Sequence, residues 1–315
     1  MRGILSKTEI GMLVALVVLL LSQFALPDWA IFIGTISLAR GLVVLGLMIL
    51  WRTGLISFGQ ALFFGMGGYT VGLLRINTGL SDIILLTVLA ILSSGLLAYL
   101  LGLLISRYRE IFFAMLCLAF SMMLYGLLVN NEKLGGTDGF NVLGLTIFGI
   151  PVQGETLQTV NFIWICVLAC VLGIVVHRYL SSTMGNLSAA IRDNEIRVEY
   201  LGVSVKRTIN VKFVIAGALA GAGGAVTTMA VGHVDPDAMV YWLVSGEFVF
   251  VTILAGTGSV AAPFLGSILF ELLRTYAFQY LPLVWQLTMG GVLLITILFL
   301  PNGLWSLIQR TPTKE

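Results

Sequence analysis

The sequence predicts an all-α polytopic membrane protein of about ten transmembrane or re-entrant helices with both termini cytoplasmic. Three observations predict it. Of the 315 residues, 58% are hydrophobic and 10% charged, with a mean hydropathy of +1.03. A soluble domain carries about 25% charged residues, so this chain has too little polar surface to cover itself. Its apolar runs are long and continuous rather than alternating every second residue, which points to helices and away from a membrane barrel. Its basic residues also sort by side. In a ten-crossing arrangement with a cytoplasmic start, Arg2, Lys7, Arg52, Arg107, Arg109, Arg178, Arg192, Arg197, Lys206, Arg207, Lys212, Arg310 and Lys314 lie inside. Only Arg75 and Lys133 lie outside, while Arg40 and Arg274 sit at membrane depth. Shifting the count by one crossing midway destroys this asymmetry, which therefore orients the chain.

The elements follow in order. Glu9 to Leu26 is a first span, read as a signal anchor because no small-x-small cleavage site follows it, and Pro27-Asp28 ends it. Trp29 to Trp51 is the second, with Arg40 near its middle. Ser57 to Leu74 is the third and is rich in glycine. Asn77-Thr78-Gly79 turns the chain into a fourth span, Ile83 to Ser106, closed by Arg107 and Arg109. Ile111 to Val129 is the fifth. A polar external loop runs from Asn130 to about Thr159, and Val160 to Val176 is the sixth span. The seventh, about Thr208 to Val231, is dense in Ala and Gly. Its Gly217 and Gly221 form a GxxxG pair that lets helix backbones approach closely, so it faces protein rather than lipid. After an external loop from His233 to Asp237 come Leu243 to Leu254, which is short for a span, then Val260 to Tyr280 and Leu283 to Leu300, closed by Pro301-Asn302-Gly303. No sequence repeat emerges beyond Thr-Gly pairs opening the Gly-rich segments at Thr53 and Thr257. The whole, residues 1–315, reads as one transmembrane domain.

One stretch breaks the apolar pattern. Between Arg192 and Lys212 lie five basic residues and three acids (Asp193, Glu195, Glu199). Leu187, Ala190, Ile191, Asn194, Val198 and Leu201 recur at spacings of three and four, which predicts a short amphipathic helix over about 186–202 stopped by Gly202. A membrane protein thus displays a polar helix in the cytoplasm, either as a solvated loop helix or as a docking element for a soluble partner.

No catalytic constellation is present. The chain lacks a phosphate-cradling G-x-x-x-x-G-K-[ST] loop, so ATP is not bound by that route. His177 and His233 fall on opposite sides of the membrane, and no HExxH or Ser/His/Asp set occurs. Cys117, Cys166 and Cys170 lie in apolar runs and read as packed thiols. No metal cluster and no basic tract suited to nucleic acid appears. These observations argue against a membrane enzyme. Four charges sit at membrane depth, where each costs roughly 2.5–3.5 kcal/mol on insertion scales. Glu271 and Arg274, spaced i,i+3, neutralise each other. Arg40 and Glu247 either pair across helices or line a pathway. Glu247 falls early in its segment, where interfacial exposure is the plain alternative to a gating role. Ser57, Gln60 and Tyr69 are polar residues among the glycines of the third segment, and are pathway candidates beside the simpler reading of tight helix packing.

Five segments in order carry a family resemblance: GLISFGQALFFGMGGYTVGLL (54–74), IFFAMLCLAFSMML (111–124), GGTDGF (135–140), AIRDNEIRVEYLGV (190–203) and LAGTGSVAAPFLGS (254–267). Together they resemble the LivM-type permeases of branched-chain amino acid ATP-binding-cassette importers, over residues 40–303. The chain departs from the family pattern at Gln60, at Trp51-Arg52-Thr53-Gly54 and at Ala261-Ala262. The resemblance implies a non-enzymatic subunit of the bacterial inner membrane carrying branched-chain amino acids or a related small polar solute. It implies a LivH-like second permease, two cytoplasmic ATPase subunits that bind the ATP and Mg, and a periplasmic binding protein; this chain binds no cofactor. It further implies that Arg192, Asp193, Asn194, Glu195, Glu199 and Gly202 dock on an ATPase. The outer loops, with Gly136, Thr137, Asp138, Asp235 and Asp237, would then meet the binding protein. The competing reading is a self-sufficient ion-coupled transporter or channel using Glu247 or Glu271.

Overall fold

The computed structural model describes residues 6–300 and 303–308. Arg2, Arg310, Lys314 and the Pro301-Asn302 pair lie outside the described residues, as does the Lys7 side chain. Each predicted apolar segment carries a helix. These are α1 (Lys7–Ser22), α2 (Asp28–Trp51), α3 (Gln60–Thr78), α4 (Ile83–Ile105), α5 (Glu110–Val129) and α6 (Glu155–Ser181), followed by the polar α7 (Thr183–Tyr200). Then come α8 (Val205–Val231), the short α9 (Pro236–Met239), α10 (Trp242–Ala255), α11 (Ala262–Tyr280), α12 (Trp285–Phe299) and the short α13 (Trp305–Ile308). Among the described residues, six stretches are long and apolar enough to cross a membrane: α2, α4, α5, α6, α8 and the run Pro236–Ala255. Six crossings are therefore what length and composition establish, against about ten segments expected.

The boundaries moved for local reasons. α1 stops at Ser22 rather than Leu26, because the four residues before Pro27 break the helix in tight turns. α3 starts at Gln60, and Ser57 to Gly59 precede it as non-helical chain. It runs on to Thr78, where Gly79 takes the left-handed conformation that ends a helix (φ 71°). The short eighth segment gains α9 ahead of it. The Asp235 side chain caps α9 by accepting from the Ala238 amide at 2.7 Å.

α2 and α8 form the centre. From Leu42 to Leu50 every side chain of α2 is buried, and α8 is buried from Ala220 to Met229. Small residues make this possible. A Cβ on Gly67 of α3 would collide with the Gly221 backbone of α8, and one on Gly224 with the Phe64 carbonyl. Gly46 of α2 also lies against the Ala216 backbone of α8, somewhat less tightly. Backbones in contact bring dispersion and leave no gap, which is how helices associate without a hydrophobic drive between them. The GxxxG pair thus faces protein as expected, with Gly217 against Ala98 and Gly221 against Ser94 of α4. Around this centre the outer helices turn apolar faces outward. On α4, Leu85, Val88, Leu92, Leu96, Leu100 and Leu103 are exposed at spacings of three and four, an apolar stripe suited to lipid.

The loop from Asn130 to Thr159 is ordered by short pairings. Phe140–Asn141 (β1) pairs antiparallel with His233–Val234 (β4), and Thr146–Ile147 (β2) pairs with Ile150–Pro151 (β3). Asp82 caps α4 through the Ile84 and Leu85 amides and also accepts from the Phe148 amide at 2.8 Å. Arg75 Nε donates to the Leu143 carbonyl at 2.9 Å. The loop is therefore folded back on the ends of α3, α4 and α8.

Candidate functional site

α7 is built in two pieces. The Ser182 hydroxyl caps the first by accepting from the Gly185 amide. At Asn194 the backbone is extended (φ −163°, ψ 99°), and the Asn194 side chain caps the second piece by accepting from the Arg197 amide at 3.0 Å. Asn favours such capping over helix interior. The break shifts the helical phase, so the predicted apolar face does not hold together. Ile191 and Val198 are buried and Leu187 half-buried, but Ala190, Asn194 and Leu201 are exposed. A different apolar edge faces outward: Ile196 is 62% exposed, Tyr200 87% and Leu201 81%.

The inner side of α7 is fastened to the transmembrane helices. Arg109, beside α5, donates from Nε to Glu195 Oε2 at 2.6 Å, while its Nη1 bonds the carbonyls of Ser106 and Tyr108. The stem of Arg192 packs on Gly54, whose φ of +81° only glycine adopts without strain. Lys212 of α8 is fully buried, and its Nζ donates to Ser188 Oγ at 2.7 Å and Thr53 Oγ1 at 3.1 Å. Next to Thr53, Arg52 donates from Nε (3.0 Å) and Nη2 (2.6 Å) to the Thr257 carbonyl, which joins the two Thr-Gly loops in space. Burial lowers the Arg52 pKa from its ordinary value, far short of discharging a guanidinium. Of the residues assigned to docking, Arg192, Asp193, Asn194, Glu199 and Gly202 lie on the exposed side, and Glu195 is engaged by Arg109.

At membrane depth the four charges converge. Arg40 Nη1 of α2 donates to Glu247 Oε2 of α10 at 2.8 Å and lies 2.8 Å from Glu271 Oε1 of α11. The second contact is an ion pair whose angle makes no directed hydrogen bond. Arg274 Nη1 reaches Glu247 at 3.5 Å and Glu271 at 3.7 Å. Glu247 is 12% exposed, so it faces this cluster and not the membrane surface. Arg274 is the most open of the four, at 32%, and its guanidinium lies over the Trp285 ring at 5.9 Å.

The third-segment candidates are buried too. Gln60 is wholly enclosed with both amide atoms unpartnered, and the Tyr69 hydroxyl is buried and unpartnered. Ser57 accepts from the Gly59 amide at 3.3 Å. Beside Gln60, the Ala61 amide donates to Ser245 Oγ at 3.0 Å, two residues before Glu247. Ser57, Gln60 and the start of α10 are thus neighbours. Tyr69 lies about 13 Å further along α3, edge-on to Phe140.

The outer-loop candidates form one surface. Gly139 sits against the Val234 carbonyl, and His233 Nδ1 and Asn141 Oδ1 lie 2.9 Å apart. The Tyr125 hydroxyl donates to Asp237 Oδ1 at 2.8 Å. Thr137, Asp138 and Asp237 are exposed, with Gly136 and Asp235 half-buried.

Residues 29–298 match the family described as "Branched-chain amino acid transport system / permease component". The chain belongs to this family. The permease is 27% identical to the high-affinity branched-chain amino acid transport system permease protein LivM of Salmonella typhimurium, over 95% of this chain and 75% of that protein. It is also 27% identical to LivM of Escherichia coli, over 93% of this chain and 74% of that protein. No solved structure matches it. With its apolar helices, this is a multi-pass membrane protein. Sequence reasoning missed several of the permease's fastenings: Arg109, Ser188, Thr53 and Ser245. Hydroxyls and loop arginines carry no signal until the fold places them. Lys212 was visible, but only as one of the basic residues assigned to the cytoplasmic side.

Proposed function

We propose that this permease is one transmembrane half of an ATP-binding-cassette importer in the bacterial inner membrane. It would carry branched-chain amino acids or a related small polar solute. A second, LivH-like permease would complete the pathway, two cytoplasmic ATPase subunits would bind ATP and Mg, and a periplasmic binding protein would deliver the solute. The observation that carries the reading is α7: a polar helix fastened on its inner side and bearing Ile196, Tyr200 and Leu201 bare on the other. Apolar side chains bunched on a polar helix call for a partner surface. Sidedness agrees. α7 meets the end of α2 (Thr53), the start of α5 (Arg109) and the end of α6, where the basic residues gather. The outer loops meet one another, one of them carrying Lys133, and Arg75 at the end of α3 bonds that same loop. Both termini then lie in the cytoplasm.

The core supports a path shared with another subunit. α3 and α8 touch backbone to backbone, so a solute does not pass between them and instead runs along an outer face. The ion-coupled alternative loses its site, because Glu247 and Glu271 each already face two arginines. The test is Tyr200→Asp with Leu201→Asp. The variant is expected to insert normally and to lose at least about tenfold of the co-purifying ATPase, the loss that removing apolar anchors from an interface causes. Full retention of the ATPase would sink the docking role. Ion-driven uptake by the chain reconstituted alone would sink the importer reading altogether.

A further inference from the structure

We propose that Lys212 is the positioning residue that transmits movement of α7 into the membrane helices; this rests on the docking role proposed for α7. The observations concern one ammonium group. Lys212 is completely buried, eight residues into α8. Among the described residues no carboxylate pairs with it. Its two acceptors are neutral hydroxyls, and they come from separate segments: Ser188 on the first piece of α7 and Thr53 in the connection after α2. An enclosed ammonium lacking a counter-charge is a poor way to stabilise a fold, and an apolar side chain of its size would serve better. It is a good way to hold three segments in one fixed relation. Charged hydrogen bonds are short and directional, whereas apolar contacts slide.

The junction also leads somewhere. Thr53 Oγ1 itself donates to the Ile49 carbonyl of α2 at 3.3 Å. Arg52, its neighbour, grips the Thr257 carbonyl between α10 and α11. Those two helices carry Glu247 and Glu271, which hold Arg40 at mid-membrane. A displacement of Ser188 therefore reaches α8 directly through Lys212, and α2, α10 and α11 through Thr53 and Arg52. The second fastening, Arg109 to Glu195, is more open to solvent than the Lys212 junction. Lys212 is the buried link through which α7 and α8 move together.

The test uses the complete complex, co-expressed with its partner subunits and reconstituted with its binding protein. A mixture of radiolabelled L-amino acids is the probe, and hydrolysis is measured in the same vesicles. Lys212→Met keeps length and removes charge. Its complex is expected to retain the ATPase subunits and to hydrolyse ATP, while solute moved per ATP falls about tenfold, the scale of an intersite coupling energy. A purely structural role would lower assembly and leave that ratio unchanged, and an unchanged ratio overturns the proposal. If Lys212→Met fails to accumulate, Ser188→Ala and Thr53→Val each remove one acceptor and should lower the ratio by about threefold; unchanged ratios in both overturn it equally. If the wild-type chain holds no ATPase, the docking role of α7 falls, and this inference falls with it for that separate reason.

Discussion

Arg40 serves two acids at once, and that decides what its loss does. Arg40→Met leaves Glu247 and Glu271 beside the more open Arg274 alone. Stranding a buried charge costs roughly 3–5 kcal/mol, whereas removing both partners is often nearly neutral. Arg40→Met is therefore expected to lower the unfolding temperature in detergent sharply, and Arg40→Met with Glu271→Gln to recover part of the loss. Strict additivity of the two changes would show that the contact carries no coupling.

Among the elements, the α3–α8 crossing is the tightest contact. Gly224→Ala drives a methyl group into the Phe64 carbonyl. Overpacking costs about 1–3 kcal/mol where side chains can give way, and backbone cannot. Gly290→Ala on α12 meets open space and gains up to about 1 kcal/mol of helix propensity. Fluorescence-detected size exclusion should show loss of the folded peak for the first and none for the second; equal yields would mean the helices are looser than drawn. The existence of these elements was legible, because an apolar run of membrane length has few alternatives. The phase of α7 was not, because the break at Asn194 is a local choice of one side chain over the helix ladder. Lys212 already lay within the expected seventh span, but its partners were not legible, because Ser188 and Thr53 are hydroxyls far away in the sequence that only the fold brings to its ammonium. The strands β1 to β4 are two residues each, too short for any alternation to appear. The four mid-membrane charges stood out at once. The pairs Glu271–Arg274 and Arg40–Glu247 were each legible as options, but the joining of both pairs into one cluster was not, since it depends on the rotation of three helices.

At the scale of the whole molecule, the sorting of loops and charges predicts sidedness. Cys117, Cys166 and Cys170 are buried, so single introduced cysteines dominate labelling by an impermeant maleimide. Thr137→Cys should label in intact spheroplasts and Leu201→Cys only after lysis. The reverse pattern would invert the chain, and labelling of both from one side would remove a crossing between them. The mid-membrane cluster has a last consequence, for membrane voltage. Each elementary charge carried across the bilayer exchanges about 2.3 kcal/mol per 100 mV with the membrane potential. Two arginines and two glutamates locked together sum to zero, so when α2, α10 and α11 shift as a body they neither draw on that field nor work against it. Movement of that cluster is then electrically silent, whatever drives it.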